Sequence, residues 1–302
     1  MTFKKNKITI IAEAGINHNG SFKNAIKLIK IAKKCKADFI KFQIFKPENV
    51  VTRNAKKSQY QKKNFKDTET QQKMIKKFEL KYDLFKKIKR ECKKNKINFL
   101  CSPFDIQSLK YLNSIGESTF KIPSGEITNY PYLKEVGLLR KKVILSTGMS
   151  NISEIRAALK ILTKFGTKKN NLTVLHCVTS YPAPFKYLNL KAINLIKKTF
   201  NVNVGYSDHS EGIEAPIAAV ALGATMIEKH LTISKRLNGP DHKSSLSPKE
   251  FSLMVKSIRN VEESLKSKKK KLQKCEIENL KLVRKSIVAK KNINKGEIFN
   301  NF

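Results

Sequence analysis

No run of about 18 apolar residues occurs in this chain, so no membrane-spanning helix is expected. The five cysteines, Cys35, Cys92, Cys101, Cys177 and Cys275, are odd in number, scattered and without a C-x-x-C pair. That pattern argues against a disulfide framework and a zinc ribbon and fits a reducing cytoplasm. Cys101 and Cys177 sit inside apolar runs and read as small core residues. No G-x-G-x-x-G follows the first apolar run, which weakens a dinucleotide-binding fold. Acidic residues are scarce: 24 Asp and Glu against 62 Lys and Arg, a formal charge of +38. The excess is nearly all lysine, with little of the arginine that bidentate phosphate and base contacts prefer. It is spread along the whole chain, only Lys268 to Lys271 form a run, and no nucleic-acid-binding motif is found. The charge therefore reads as solvated helix faces, not as a nucleic-acid or membrane surface, although a positive field would help draw in an anionic substrate. The opening MTFKKNKITIIAEAG has too short an apolar stretch for a signal peptide, and it runs directly into Glu13, so it is expected to be a core strand.

What is present is alternation. The 302 residues, 40% of them hydrophobic, suffice for one large barrel with a short extra segment or for two ordinary domains. Eight β-rich runs recur: ITIIAEAG, DFIKFQIF, NFLCSPF, TFKIPSG, KVILSTG, LTVLHCV, VNVGYSD and TMIEKHL. Each is almost continuously apolar, as parallel strands buried on both faces must be. Between them lie helical periods, such as Ala25, Leu28, Ile29 and Ala32, or Ile155, Ala158, Leu159 and Leu162. Leu84, Phe85, Ile88 and Cys92 make another such face, and a last helix is expected from Pro248 to Leu265 with Phe251, Val255 and Ile258 inward. Eight repeats over about 250 residues predict an α/β fold, a (β/α)8 TIM barrel. The barrel domain is placed at residues 1–265, a lysine-rich linker at 266–283 and a further segment at 284–302. In that segment SIVAKKNINKGEIF predicts a strand, a turn at Lys295-Gly296 and a second short strand. One polar insertion, Pro47 to Lys77, is expected to form a loop and helix over the active face.

Barrel enzymes carry their chemistry at the C-terminal ends of the strands. Here nearly every strand ends in a polar group: Glu13, Lys41, Ser102, Lys121 with Ser124, Ser146, Thr179 with Tyr181, His209 and His230. Lys41 and Lys121 with neighbouring serine hydroxyls suit a small phosphate or carboxylate; alternatively they are salt-bridge partners of Glu13 or Glu126. His209 and His230, from adjacent strands and beside Glu228 and Asp208, can converge on one divalent ion; a lone histidine would more simply be a satisfied core residue. Two imidazoles with acidic and water ligands suit Mn²⁺, Zn²⁺, Fe²⁺ or Co²⁺ better than Mg²⁺. His18, in NHNGS, is read as loop-ordering, with Gly20 and Ser21 shaping a turn and capping the next helix. His176 is read as a core histidine. His242, in the turn NGPDHKSSL, is expected over the barrel mouth in contact with substrate.

The ordered blocks IAEAGINHNGS, KFQIFKPENV, SPFD, KIPSGEITNYPYL, ILSTGMS, LHCVTSYPAPF, VGYSDHSEGIEAPIAAVALGA, IEKHLT and GPDHKSSLSP resemble bacterial N-acetylneuraminate (sialic acid) synthases and their legionaminate and pseudaminate relatives. The likeness spans about residues 8 to 265, and GPDHKSSL is closer to the neuraminate and legionaminate branches. It implies a transferase that adds the methylene carbon of phosphoenolpyruvate to the aldehyde of an open-chain N-acetylmannosamine-type sugar, or of a diacetamido analogue. Water then attacks the former enol carbon and phosphate leaves by C–O cleavage. The resemblance assigns metal binding to His209 and His230, with Mn²⁺ as the first choice. Phosphoenolpyruvate would be held by Lys41, Lys121, Ser102, Ser124, Ser146, Ser207 and Thr179, the last standing where some members have Asn. Glu13 would handle the water proton, Tyr181 and Glu228 would face the sugar, and Asp241 would contact sugar or a metal-bound water. A cytoplasmic homodimer is implied, with no nucleic-acid or membrane partner. The family continues into a small antifreeze-like (SAF) C-terminal domain that lends an Arg to the partner's sugar site. SIVAKKNINKGEIF is expected to be the truncated start of that domain, and Arg284 lies too early to be that Arg. The reading of another class is an inactive barrel serving as a basic binding protein.

Overall fold

A computed structural model describes residues 7–65 and 69–298. Eight parallel strands are found where the eight runs lie: β1 (Thr9–Gly15), β2 (Phe39–Ile44), β3 (Asn98–Pro103), β4 (Thr119–Ile122), β5 (Lys142–Ser146), β6 (Leu172–Cys177), β7 (Asn203–Asp208) and β8 (Met226–His230). Their order is β3-β2-β1-β8-β7-β6-β5-β4, and the pairing of β1 with β8 joins the first strand to the last. β3 and β4, at the two ends of this ladder, lie against each other, so the sheet is a nearly closed barrel.

Residues alternate between the two faces of each strand. Ile11, Phe39, Leu100, Ile144, Leu175 and Met226 form a separate cluster that plugs the lower interior. Ile10, Ala12, Ile40, Phe42, Phe99, Phe120, Val204, Tyr206 and Ile227 face outward into one continuous core beneath the helices. The outer layer includes α1 (Phe22–Lys34), α5 (Tyr82–Lys94), α6 (Ile106–Ser114), α7 (Tyr130–Leu138), α8 (Ile152–Lys164), α9 (Ala192–Phe200), α10 (Glu214–Ala221) and α11 (Pro248–Ser264). Their ends follow local chemistry. Ser21 caps α1 by accepting from the Asn24 N–H. Ser247 and Glu250 form a reciprocal capping box on α11, with Pro248 in the first turn, where a missing N–H costs nothing. Phe251, Val255 and Ile258 are buried as their period requires. Each fully buried side chain of this size contributes about 1.5–3 kcal/mol.

Among the described residues the insertion after β2 holds three short helices, α2 (Pro47–Val50), α3 (Gln59–Asn64) and α4 (Gln71–Lys76), rather than a loop and one helix. Its Met74 joins Ile16, Phe45 and Phe78 in a small separate core. Asn64 Nδ2 ties α3 to the Pro240 carbonyl at 2.8 Å, beside the loop after β8. The chain divides into two compact units, residues 1–265 and 266–302. Within the second, a turn of 3₁₀ helix leads into α12 (Ile277–Val283), and a turn lies at Lys295-Gly296. The two strands expected around that turn are not formed among the described residues, and Phe299, the last residue of that expectation, lies outside them. The described part of the segment lacks a third strand or a packed helix face to cover such a hairpin, and a two-stranded ribbon alone is marginal. Among the described residues no helix is long and apolar enough to cross a membrane.

Candidate functional site

Two residues beyond each member of the apolar plug stands a member of a second, polar layer. Ile11 is followed by Glu13, Phe39 by Lys41, Leu100 by Ser102, Ile144 by Ser146, Leu175 by Cys177 and Met226 by Glu228. The strand period of two therefore aims all six into the barrel. Lys121 of β4 and Ser207 of β7 join them. Lys41 Nζ lies 3.2 Å from Glu13 Oε2, 3.0 Å from Glu228 Oε1 and 3.2 Å from Ser102 Oγ. Lys121 Nζ donates to Ser146 Oγ at 2.6 Å and stands 3.7 Å from Glu228 Oε1. Ser207 Oγ donates to the same Glu228 oxygen at 3.0 Å, and Gln43 Nε2 donates to Glu13 Oε1 at 3.0 Å. Four ionisable groups thus share one buried space, an expensive arrangement unless the charges are paired or serve a ligand.

Their proton affinities diverge. Burial pushes Glu13 up to about 7, opposed by Lys41 and reinforced by Glu228. Lys41 cannot hold Glu13 low because its charge is already shared with Glu228. Burial also raises Glu228, but Lys121 and Lys41 overcome this and hold it at about 2. Burial drops Lys121 to about 8 despite Glu228, while Lys41 is lifted by its two carboxylates against its own burial. Glu228 is a permanent anion, and Glu13 is poised to exchange a proton near neutrality.

At the rim, Ser124, Thr179 and Cys177 converge on Gly148. Its N–H donates to Ser124 Oγ at 3.0 Å, and Ser124 Oγ is 3.6 Å from Cys177 Sγ. A Cβ on Gly148 would fall 2.0 Å from Thr179 Oγ1 and 2.9 Å from Ser124 Oγ. Thr179 itself is exposed. Next to this rim stand the two histidines. His209 Nδ1 donates to the Val178 carbonyl at 2.7 Å, which leaves the Nε2 lone pair to accept from Tyr181 OH at 3.1 Å. The rings of His209 and His230 are 5.7 Å apart, and the Tyr181 ring lies 4.2 Å from that of His209. His230 Nδ1 is buried and has no partner. Burial, with His209 adding, holds His230 far below its ordinary value, so it is neutral. Gly15, at φ +52°, ends β1 where a Cβ would sit 3.3 Å from both Glu13 Oε1 and His230 Cε1. Asp241 is buried and raised to about 6, with His209 opposing that rise. Among the described residues no group of three or more His, Cys, Asp or Glu is arranged around a metal position. The imidazoles of His209 and His230 remain as donors, one with its ring oriented by a backbone carbonyl and the other with an orphaned nitrogen. That set fits an open, catalytic ion completed by water and substrate oxygens, not a closed structural one.

Several expectations change. Asp208 is not beside the histidine pair: it shares the outward face with Val204 and Tyr206 and is bound by Lys229 there. Lys121 does not pair with Glu126, whose carboxylate is engaged by Asn129 at 2.6 Å. His242 is fully buried between Thr232 Oγ1 at 2.7 Å and Asn19 Oδ1 at 3.0 Å, so it braces the loop and is not free for substrate. His18 Nδ1 accepts from the Gly20 N–H at 3.1 Å and so orders its own turn. His176 bonds the Leu188 carbonyl and stacks on Tyr206, outside the barrel. Three residues were missed. Cys177, which reads from its apolar run as a core residue, faces inward 3.9 Å from His209 Nδ1, where its register with Leu175 places it in the polar layer. Gln43 follows Lys41 by the same step. Tyr60, on α3, stacks at 5.0 Å on Tyr181, and no local pattern marks it.

The family model described as the NeuB family matches residues 28–270. The chain is 51% identical to the N,N'-diacetyllegionaminic acid synthase of Campylobacter jejuni, over 97% of this chain and 88% of that protein. It is 41% identical to the protein of the same name from Legionella pneumophila, over 95% and 81%. Among solved structures, the N-acetylneuraminic acid synthetase of Leptospira borgpetersenii, in complex with citrate, superposes with a TM-score of 0.80 at 34% identity, covering 93% of this chain and 95% of that one.

Proposed function

The chain belongs to the NeuB family, and from that membership we propose that it joins phosphoenolpyruvate to the aldehyde of an open-chain, N-acetylated mannosamine-type sugar, forming a nine-carbon 2-keto sugar acid and releasing phosphate. The observation that carries this reading is the buried polar layer directly above the apolar plug, with two lysines, two glutamates and the serines among them. An acceptor with two acetamido groups is favoured, because both relatives quoted from Campylobacter and Legionella are named for a diacetyl product. N-acetylmannosamine is the second reading, supported by the likeness to the neuraminic acid synthetase structure.

In this mechanism Lys121 and Lys41, with Ser102, Ser124, Ser146, Ser207 and Thr179 around them, hold the phosphate and carboxylate of phosphoenolpyruvate. Glu228 stays ionised and keeps Lys41 in place. The methylene carbon of phosphoenolpyruvate forms the new C–C bond to the aldehyde carbon, whose oxygen becomes a hydroxyl. Water adds to the former enol carbon, and Glu13 accepts its proton. Phosphate then departs with the C–O bond electrons and takes the remaining hydroxyl proton, leaving the ketone, while the proton taken up by Glu13 makes up the one needed by the aldehyde-derived hydroxyl. A divalent ion, Mn²⁺ first, would be held by His209 and His230 and would supply Lewis-acid polarisation of the aldehyde oxygen. Tyr181 and Asp241 face the sugar, whereas Glu228, expected there too, is engaged by Lys41, Lys121 and Ser207 in the anion layer. The binding-protein alternative gives no reason for four buried charged groups at the strand ends. Incubation with phosphoenolpyruvate, Mn²⁺ and either acceptor should release phosphate and a nine-carbon keto acid; no product from either acceptor overturns the reading.

A further inference from the structure

The outward face of a barrel strand normally carries apolar residues against the helices, and β7 and β8 obey this with Val204, Tyr206 and Ile227. The next position on each strand breaks the pattern. Asp208 and Lys229 stand opposite each other in the register of the two strands, and their side chains are 0% and 1% exposed. Lys229 Nζ bonds Asp208 Oδ2 and also donates to the Ser210 carbonyl at 2.5 Å. Asp208 Oδ1 accepts from Tyr206 OH at 2.9 Å, from the Ser210 N–H at 3.0 Å and from Ser210 Oγ at 2.8 Å. A buried ion pair of this kind is commonly no more stabilising than apolar side chains of similar volume. What it does supply is geometry. Its two members directly precede His209 and His230, and together they hold the N–H and C=O of Ser210, the residue after His209. Both imidazoles are therefore carried into the barrel from backbone that one pair of charges fixes from behind.

We propose that Asp208 and Lys229 are positioning residues that set the separation of His209 and His230 from outside the barrel wall, so that the two imidazoles can share a divalent cation. The inference rests on the metal reading given above. It requires that the pair can be removed without losing the fold, yet not without losing the metal site. Replacement of a partner that orients a metal ligand typically weakens metal affinity by about 10–100-fold.

The test is Mn²⁺ binding to the full chain, followed by electron paramagnetic resonance of the free ion, with thermal unfolding recorded on the same samples. In the double variant Asp208→Leu/Lys229→Met, apolar side chains take the place of the pair. Expected are a folded protein with a lowered melting temperature, because Tyr206 OH and the Ser210 N–H, Oγ and carbonyl lose their partners, and Mn²⁺ affinity weakened at least about tenfold. Wild-type affinity in the folded double variant overturns the inference. Should that variant not fold, Asp208→Asn keeps shape and loses charge: folded protein with weakened Mn²⁺ binding supports positioning, and unchanged binding overturns it. His209→Ala is the control that separates the two claims. A wild-type chain that binds Mn²⁺ no better than His209→Ala overturns the metal reading, and the positioning role falls with it. Binding lost in His209→Ala but intact in the folded double variant overturns the positioning role alone.

Discussion

Lys121 Nζ is 2.6 Å from Ser146 Oγ but 3.7 Å from the nearest Glu228 oxygen, whereas Lys41 has two carboxylates at 3.0 and 3.2 Å. Of the two lysines in the polar layer, Lys121 is the more weakly paired, and burial lowers it to about 8 despite Glu228. An incoming phosphate or carboxylate would supply a closer partner. Below about pH 8 Lys121 is a cation and binding costs no proton; above it, binding must first recruit one. The dissociation constant of phosphoenolpyruvate, measured by calorimetry from about pH 7 to about pH 10, should weaken through pH 8 by up to about tenfold per unit. Lys121→Arg keeps its charge over this range and should give a flat profile. A flat wild-type profile would sink the assignment.

Glu13, raised to about 7, should set the acid limb of kcat/KM, because only its ionised form accepts a proton from water. Glu13→Gln should cost about 10²–10⁴-fold in kcat and abolish that limb. A second readout follows from linkage. The folded chain holds a proton on Glu13 that the unfolded chain releases near its ordinary pKa of about 4.3. Between about 4.3 and 7 the native state binds the extra proton, so stability falls as pH rises. Glu13→Gln should flatten that part of the denaturation profile; an unchanged slope would show that Glu13 does not titrate there.

The barrel and most of its polar layer were legible in the sequence for one reason. A parallel strand buried on both faces reads as an apolar run, so a charged residue two positions after an inward apolar one is conspicuous. Glu13 after Ile11 and Glu228 after Met226 show this. Cys177 obeys the same spacing after Leu175 but is itself apolar enough to hide in the run. Asp208 failed for the complementary reason: its charge was conspicuous, but one step of register puts it behind the wall, and only pairing with Lys229 reveals which side it occupies. Tyr60 was illegible because its place depends on how the polar insertion from Pro47 to Lys77 folds back across the mouth, which no periodicity encodes.

Gly148 tests the rim. Ser124 Oγ, Thr179 Oγ1 and Cys177 Sγ crowd the space where its Cβ would stand, at 2.9, 2.0 and 3.1 Å. Gly148→Ala should push those groups away from the mouth of the anion site while leaving the cores under the helices untouched. Loss of phosphoenolpyruvate affinity by about tenfold or more, with the midpoint of thermal unfolding nearly unchanged, is expected. Wild-type affinity would mean that Ser124 and Thr179 do not contribute to holding the anion.

The two substrates should be separable through Tyr60. Its ring stacks at 5.0 Å on Tyr181, whose hydroxyl donates to His209 Nε2, and it belongs to the insertion rather than to any barrel strand. It therefore bears on the acceptor side of the site, where Asp241 is also near it. An aromatic pair is worth about 0.5–1.5 kcal/mol beyond its buried area, so Tyr60→Ala should raise the acceptor KM about three- to tenfold by freeing Tyr181. The phosphoenolpyruvate dissociation constant should stay within about twofold, and Tyr60→Phe, which keeps the stack, should behave as wild type. Steady-state kinetics with the acceptor varied, set beside calorimetric binding of phosphoenolpyruvate alone, distinguishes the cases. An equal loss on both substrates would show that the insertion supports the whole site indiscriminately, and that the division between an anion layer below and an acceptor wall above is wrong.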